Sequence, residues 1–82
     1  MQFNYLFSNH LIERIKKRNL LESRVIETVE NYNYKVKISE TEVHYFKRIE
    51  DSGNKCLKVV VNPISNKIVT AYFDRKMTKR GW

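Results

Sequence analysis

The sequence predicts an α+β fold in which an N-terminal helical hairpin packs on a four-stranded antiparallel meander sheet. Apolar residues recur with a helical period up to about residue 31, and from Tyr34 they alternate with polar residues as in a strand. Short turn segments separate the later runs, so consecutive strands should pair antiparallel. Neither layer can bury its apolar side alone, which predicts that the helices cover one face of the sheet.

The composition indicates one globular domain. The chain has 82 residues, of which 41% are hydrophobic, and only two Gly and one Pro, which argues against a disordered chain. We predict a single domain, residues 1–82, with a helical pair at 9–31, an antiparallel sheet at 34–74 and a basic tail at 75–82.

The first helix is predicted at about residues 9–18, after a lead-in that is either an edge strand or an extended arm. Ser8 is a credible N-cap, which places His10 in the first turn. At about 100° per residue, His10, Arg14 and Arg18 form a stripe along the border of the apolar face. We therefore expect this stripe to line the seam between the helix and the sheet.

His10 is the main candidate for acid–base chemistry. The helix dipole and the nearby arginines disfavour the imidazolium, and a neutral imidazole beside two guanidinium groups could act as a general base next to a bound phosphate. Alternatively, His10 bonds a backbone group at the helix start, and the arginines are ordinary solvated charges paired with Glu13 or Glu22. The second histidine, His44, is interpreted as structural or as a minor RNA-stacking contact.

The second helix is predicted at residues 22–31, where Val25, Ile26 and Val29 form a narrow apolar stripe. The four strands that follow are predicted at residues 34–38, 42–50, 55–62 and 67–74. Residues 51–54, with the sequence DSGN, form the clearest hairpin turn. In the second strand, alternation separates two faces, one with Val43, Tyr45 and Ile49 and the other with His44, Phe46 and Arg48.

The last strand carries two hydroxyl side chains on one face. Thr70 and Tyr72 are two residues apart and therefore project from the same side of the strand. Strict alternation places Ile68 on that side as well. Their neighbours Val69, Ala71 and Phe73 would share the opposite side. Threonine and tyrosine are common in strands, so the pair has functional meaning only if its face turns toward the stripe of the first helix.

The charge balance favours a polyanionic partner. The chain has 16 Lys and Arg against 9 Asp and Glu, a net charge of +7, and nucleic acid is the first candidate for such a protein. Basic residues crowd the C-terminal end, at Arg75, Lys76, Lys79 and Arg80. Lys58 and Asn62 share a face of the third strand, where they could contact phosphate. Many small basic domains nevertheless bind no particular ligand.

Cysteine and histidine usage restricts the chemistry further. The single cysteine, Cys56, excludes an internal disulfide and suits a reducing cytosol. One Cys and two distant His give no zinc cluster, so we expect no metal and no cofactor. No apolar run is long enough for a signal peptide or a membrane span, which predicts a cytoplasmic protein without membrane contacts. No glycine-rich phosphate loop, Ser/His/Asp set or carboxylate pair is recognisable.

Four stretches together resemble a family of small bacterial domains of unassigned function: FSNHLIERIKKRN, VHYFKRI, LKVVVNP and IVTAYFDR. The shared pattern is a serine-x-histidine helix opening with arginines four and eight positions after the histidine, and a closing valine-threonine-x-tyrosine or -phenylalanine strand. The resemblance covers residues 7–76. This chain departs from it at Asn19, where relatives usually carry glycine, and at Leu21, where they place a helix-capping serine. Both departures fall at the joint between the helices.

This family in turn resembles the barnase–EndoU–colicin–RelE superfamily of metal-independent ribonuclease toxins. That likeness implies a RelE/barnase-like fold, with a helix before a curled antiparallel sheet and a cleft containing a histidine, basic residues and a hydroxyl pair. In this chain the implied catalytic residues are His10, Arg14, Thr70 and Tyr72. The residues expected to bind phosphate or RNA are Arg18, Lys58, Arg75 and Lys76.

The leading hypothesis is a ribonuclease toxin-like domain that cleaves tRNA, mRNA or ribosome-bound RNA through attack of a ribose 2′-OH on the adjacent phosphorus. His10 would act as base or acid, and Arg14 would stabilise charge on the phosphate. Thr70 would hold a phosphate oxygen or the 2′-OH, and Tyr72 would transfer the second proton or stack on a base. The alternatives are a non-catalytic RNA- or ribosome-binding module and an interaction partner in a toxin–antitoxin pair. An antitoxin or immunity protein would then be a second partner.

Overall fold

A computed structural model describes residues 5–50 and 53–80. The elements in chain order are β1 (Leu6–Phe7), α1 (Asn9–Lys17), α2 (Glu22–Glu30), β2 (Tyr34–Ser39), β3 (Glu42–Ile49), β4 (Lys55–Asn62), β5 (Lys67–Phe73) and α3 (Arg75–Arg80). The strands form one sheet in the order β1-β5-β4-β3-β2. The predicted α+β fold is confirmed: two N-terminal helices pack on an antiparallel meander, β2 to β5. No helix in the described part of the chain is both long and apolar enough to cross a membrane.

The predicted N-cap of α1 is present, and the helix ends in a Schellman motif. The Ser8 side chain accepts a hydrogen bond from the Leu11 amide at 3.1 Å. At the other end, the Leu20 amide bonds the Ile15 carbonyl at 2.8 Å, and Asn19 has a φ of 53°. Asparagine tolerates this left-handed conformation, which explains how Asn19 closes the joint between the helices.

Asn19 supplies a test of this joint. Its side chain is exposed, so a substitution acts mainly through backbone conformation. We expect Asn19→Val to lower the free energy of unfolding by about 1–2 kcal/mol, the cost of a left-handed backbone for an ordinary residue. Asn19→Gly should be at least as stable as the wild type. Urea denaturation measures both, and equal losses in the two variants would contradict the role of the left-handed backbone.

The buried side of α2 differs from the predicted stripe. Val25 and Val29 are buried as expected, but Ile26 is only half-buried and Thr28 is fully buried. The Thr28 hydroxyl donates to the Arg24 carbonyl at 2.8 Å, which satisfies its polar atom inside the core. A polar residue can therefore face the sheet in a position that hydrophobicity alone does not mark.

A β-bulge in β5 changes the predicted alternation of the last strand. Val60 pairs with Thr70, whereas the next residue, Val61, pairs with Ile68, which leaves Val69 as the extra residue. Consequently Ile68 is fully buried and Val69 is 48% exposed. The prediction that Ile68 shares a face with Thr70 and Tyr72 is wrong, because strict alternation does not hold across a bulge.

The two faces of the sheet have different surroundings. The core face packs against α1 and α2, and its buried residues are Val43, Tyr45, Ile49, Leu57, Val59, Val61, Ile68 and Ala71. The opposite face is called here the outer face. Its residues alternate with the buried ones along the strands and pair with one another across neighbouring strands. They include Tyr34, His44, Phe46, Arg48, Cys56, Lys58, Val60, Thr70 and Tyr72. The predicted helical pair, α1 and α2, therefore covers the core face alone.

The C-terminal segment closes one end of the outer face. Residues 75–80, predicted as part of a basic tail, form α3, because Asp74 caps a helix there through its bond from the Met77 amide at 3.0 Å. Arg48 donates to the Met77 carbonyl at 3.2 Å, and Cys56 beneath is fully buried. Residues 81–82 of the predicted tail lie outside the described residues.

The remaining sequence predictions concern the chain start and the β3–β4 turn. The edge-strand alternative for the lead-in is the one observed: Leu6 and Phe7 pair in parallel with Lys67 and Ile68, which adds a fifth strand to the predicted four. Residues 1–4 lie outside the described part. In the predicted turn at 51–54, Gly53 has a φ of 71°, while residues 51–52 are also outside the description.

Candidate nucleic-acid interface

His10 and Arg14 contact each other on the surface of α1. The Arg14 Nε donates to the His10 Nε2 at 2.7 Å, and both side chains are exposed. Guanidinium has no acceptor, so the ring nitrogen in this bond must be unprotonated. While the bond is kept, the His10 Nε2 cannot accept a proton from a substrate.

The predicted stripe does not lie in the seam with the sheet. Together with Glu13 and Lys17, its members line a groove on the surface of α1, with a volume of about 260 Å³, that is called here the α1 groove. The helix buries Leu11 and Ile15, and the direction midway between them around the helix axis marks its buried side. At about 100° per residue, Arg18 points roughly 40° away from that direction and His10 roughly 120° away. His10 and Arg14 are exposed, so the seam prediction is wrong for these two residues. Of the three residues of the stripe, Arg18 is the one with a hydrogen bond to the sheet.

Thr70 and Tyr72 share a face, as predicted, but that face is the outer one. Thr70 pairs with Val60 and Tyr72 pairs with Lys58, whereas Ala71 between them is buried against the helices. The expectation that the hydroxyl pair meets His10 and Arg14 in one cleft is wrong, because α1 packs on the opposite face. The catalytic roles assigned to these residues stay predictions, but they cannot be those of a single preformed cleft.

Arg18 connects the two sides at the edge of the sheet. Its Nη1 donates to the Ala71 carbonyl at 3.0 Å, and its Cζ lies 5.9 Å from the centre of the Tyr72 ring. The carbonyl is accessible because β1 pairs only with Lys67 and Ile68 and leaves the rest of this β5 edge without a strand partner among the described residues. Arg18 thus belongs to both the helix surface and the outer face.

Three aromatic rings and two cations lie in a line across the outer face, which we call the aromatic–cation row. It consists of Tyr34, Phe46, Lys58, Tyr72 and Arg18. The ring centres of Tyr34 and Phe46 are 5.8 Å apart. The Lys58 Nζ lies 5.9 Å from the Phe46 ring and 5.4 Å from the Tyr72 ring. With Arg18 on the far side of Tyr72, the row crosses from β2 to the free edge of β5.

The row offers two accessible rings with a cation between them. Tyr34 is 50% exposed and Tyr72 is half-buried, whereas Phe46 is only 6% exposed and forms the floor between them. Lys58 is half-buried at the centre. Exposed aromatic rings stack on nucleobases, and ammonium or guanidinium groups beside them bind phosphates. This combination is typical of surfaces that bind single-stranded nucleic acid.

A histidine does lie on this face, but it is His44. Its Nε2 is 2.6 Å from the Glu42 Oε2, and its ring centre is 6.4 Å from that of Phe46. His44 pairs with Val60, which in turn pairs with Thr70, so the three lie in the row next to the aromatic–cation row. A carboxylate at this distance fixes the orientation of the imidazole. Its signal in the sequence is the alternation with Tyr45, which puts His44 on the same face of the strand as Phe46.

The other predicted phosphate-binding residues lie at the α3 end of the outer face. Arg75 and Lys76 are exposed in the first turn of α3, which packs against β4. Cys56 lies under this helix, where burial raises the pKa of its thiol above the ordinary value. The thiol is therefore protonated and shielded, and it takes no part in the candidate site.

Comparison with known proteins adds no relative. No family model matches the chain, and no curated protein or solved structure has significant similarity to it. The mixed five-stranded sheet is compatible with a RelE-like arrangement without establishing it. The family resemblance therefore stays a prediction from the sequence motifs.

Proposed function

We propose that this protein binds single-stranded RNA across the outer face of its sheet. The observation that carries the proposal is the aromatic–cation row, in which the accessible rings of Tyr34 and Tyr72 stand on β2 and β5. The ammonium group of Lys58 lies between these two strands, next to the Tyr72 ring. Bases would stack on the two rings, and the backbone phosphate between them would contact Lys58. The net charge of +7 supplies the long-range attraction for such a polyanion.

The dimensions of the row suit a single strand. Neighbouring strands of a sheet are about 4.8 Å apart, so the row spans roughly 14 Å between Tyr34 on β2 and Tyr72 on β5. That length accommodates a few nucleotides whose bases are splayed onto the sheet. A duplex keeps its bases stacked inside and could not use the rings, which is why unpaired RNA is the proposed ligand.

The test compares two lysines of β4. We expect Lys58→Ala to weaken binding of a fluorescent single-stranded oligonucleotide and to lower the salt dependence by about 0.7 in the slope of log K against log salt, the effect of one lost phosphate contact. Tyr72→Ala should cost about 1–3 kcal/mol of binding free energy, the usual worth of one base stacked on an aromatic ring.

Lys55→Ala is the matched control, because Lys55 is an exposed lysine of the same strand whose ammonium lies over Phe73, outside the row. It removes the same charge and should change affinity much less. Equal losses for the two lysine variants would show that only net charge matters. No binding of any single-stranded RNA at low salt would reject the proposed function.

Metal-independent cleavage of the bound RNA is the second candidate, and one observation favours it. His44 is held by Glu42 on the same outer face and lies diagonally across from Lys58 in the strand register. With its Nε2 proton directed to the carboxylate, its Nδ1 could take the proton of a ribose 2′-OH. The 2′ oxygen would then bond the adjacent phosphorus, the bond to the 5′ oxygen would break, and Tyr72 or water would protonate that oxygen. This arrangement assigns the base to His44, whereas the sequence motif assigns it to His10.

A further inference from the structure

We propose that RNA on the outer face continues over the free β5 edge at Arg18 and into the α1 groove, where Arg14 and Lys17 form a second phosphate-binding subsite. This inference rests on the proposed RNA binding and adds the path that a longer strand takes. It also gives the exposed His10–Arg14 pair a role in positioning rather than in proton transfer.

The path begins at an edge that is open in the described residues. Beyond its two-residue pairing with β1, β5 has no strand neighbour on this side, and Val69 is 48% exposed there. The Ala71 carbonyl on this edge is occupied by Arg18 rather than by a strand. A nucleic-acid strand leaving Tyr72 therefore meets a guanidinium group at the rim of the sheet.

Arg18 can serve both surfaces at once. Guanidinium has five N–H donors, and the bond to Ala71 uses one of them, with no other hydrogen-bond partner within the described residues. The same side chain lies against the Tyr72 ring and lines the α1 groove. The aromatic–cation row and the α1 groove therefore adjoin at Arg18.

The groove itself is positively charged. Arg14, Lys17 and Arg18 are spaced by three and four residues, which places them on one side of the helix, against the single carboxylate of Glu13. Arg14 is held at its Nε by His10, so its two terminal nitrogens remain for a phosphate, which guanidinium binds in a bidentate manner. His10 therefore acts as a positioning residue for Arg14.

The experiment compares short and long single-stranded RNA, for example oligonucleotides of three and twelve nucleotides of uniform sequence, in fluorescence anisotropy at several salt concentrations. The double variant Arg14→Ala/Lys17→Ala should bind the long RNA roughly three- to twentyfold more weakly, with the salt slope lower by about 1.4. Its affinity for the short RNA should be unchanged. Lys58→Ala should weaken both RNAs.

Substitutions at Lys16 and His10 test two further points. The first is whether the location of a charge on α1 matters more than the net charge, and the second is whether His10 positions Arg14. Lys16→Ala removes a charge from the opposite border of α1, about 120° from the buried side by helical geometry, and should leave both affinities within twofold of wild type. His10→Ala should weaken only the long RNA, and His10→Gln, whose side-chain oxygen can still accept from Arg14, should restore most of the loss.

The outcomes distinguish this inference from the proposed function. If Lys58→Ala weakens both RNAs but the Arg14/Lys17 variant weakens neither, the outer face binds RNA and the path over the edge is wrong. Equal losses for the short and long RNA in the Arg14/Lys17 variant, or an equal effect of Lys16→Ala, would also overturn it. If neither RNA binds the wild-type protein, both proposals fail together.

Discussion

Leu11→Ala is expected to lower the free energy of unfolding by about 2–5 kcal/mol, the usual cost of truncating a fully buried leucine. Leu11 is 0% exposed and packs in the core that joins α1 to the sheet. The smaller side chain loses apolar contacts and leaves a cavity that a domain of this size has few other residues to fill. Equilibrium denaturation in urea, monitored by circular dichroism, measures the change.

Leu21→Ala is the matched control for this prediction. Leu21 is 62% exposed, and it stands at the N-cap of α2 without a side-chain hydrogen bond, so the same truncation should change stability by no more than about 0.5 kcal/mol. A similar loss in both variants would contradict the docking of α1 on the core face. Leu11 packs α1 on the core, and Arg18 directly follows that helix. Where part of the protein is unfolded, Leu11→Ala should therefore also weaken RNA binding.

The helices and strands were predictable because their signals are local. Ser8 marks the start of α1, and the change from helical to alternating periodicity marks the start of the sheet at Tyr34. The predicted ends differ from the observed ones by about one residue, as at Arg18, which caps α1 rather than belonging to it. By contrast, the two-residue strand β1 pairs with residues some sixty positions away, and nothing in its own sequence encodes a parallel partner.

The site was only partly predictable, for two physical reasons. Alternation correctly puts Thr70 and Tyr72 on one face, but a strand's period does not say which face the helices cover. The bulge at Val69 also has no clear mark in the sequence. The helical angles, in contrast, were sufficient to show that Arg18 lies nearer the buried side than His10 does. The signal available in the sequence is the angle of each residue around the helix axis relative to Leu11 and Ile15.

The aromatic–cation row could not be found in the sequence because it exists only across strands. Tyr34, Phe46, Lys58 and Tyr72 come from four strands and meet because the turns set one register. Each residue alone is an ordinary strand residue with alternating neighbours. Lys58 was identified as a possible phosphate contact from its charge, but its two aromatic neighbours depend on pairings that single-strand periodicity does not contain.

His44→Ala is expected to lower the rate of RNA cleavage by about two to four orders of magnitude, the usual contribution of a positioned acid or base. The assay incubates bulk RNA with the protein and a chelator, which silences metal-dependent contaminants, and detects fragments that end in 2′,3′-cyclic phosphate. Glu42→Gln should reduce the rate less, since it removes only the group that orients the imidazole. Affinity for a single-stranded oligonucleotide should change little in His44→Ala, which separates chemistry from binding.

His10→Ala is the decisive comparison, since the two histidines lie on different surfaces. If cleavage occurs on the outer face, His10→Ala keeps most of the activity, because its ring is bonded to Arg14 on α1 and is separated from Thr70 and Tyr72. A large loss in His10→Ala with none in His44→Ala would instead support the base that the sequence motif implies and reject the outer-face assignment. Cleavage unchanged in both variants would indicate a contaminating nuclease. Wild-type protein that binds RNA and leaves every substrate intact would reject the enzyme hypothesis and keep the RNA-binding one.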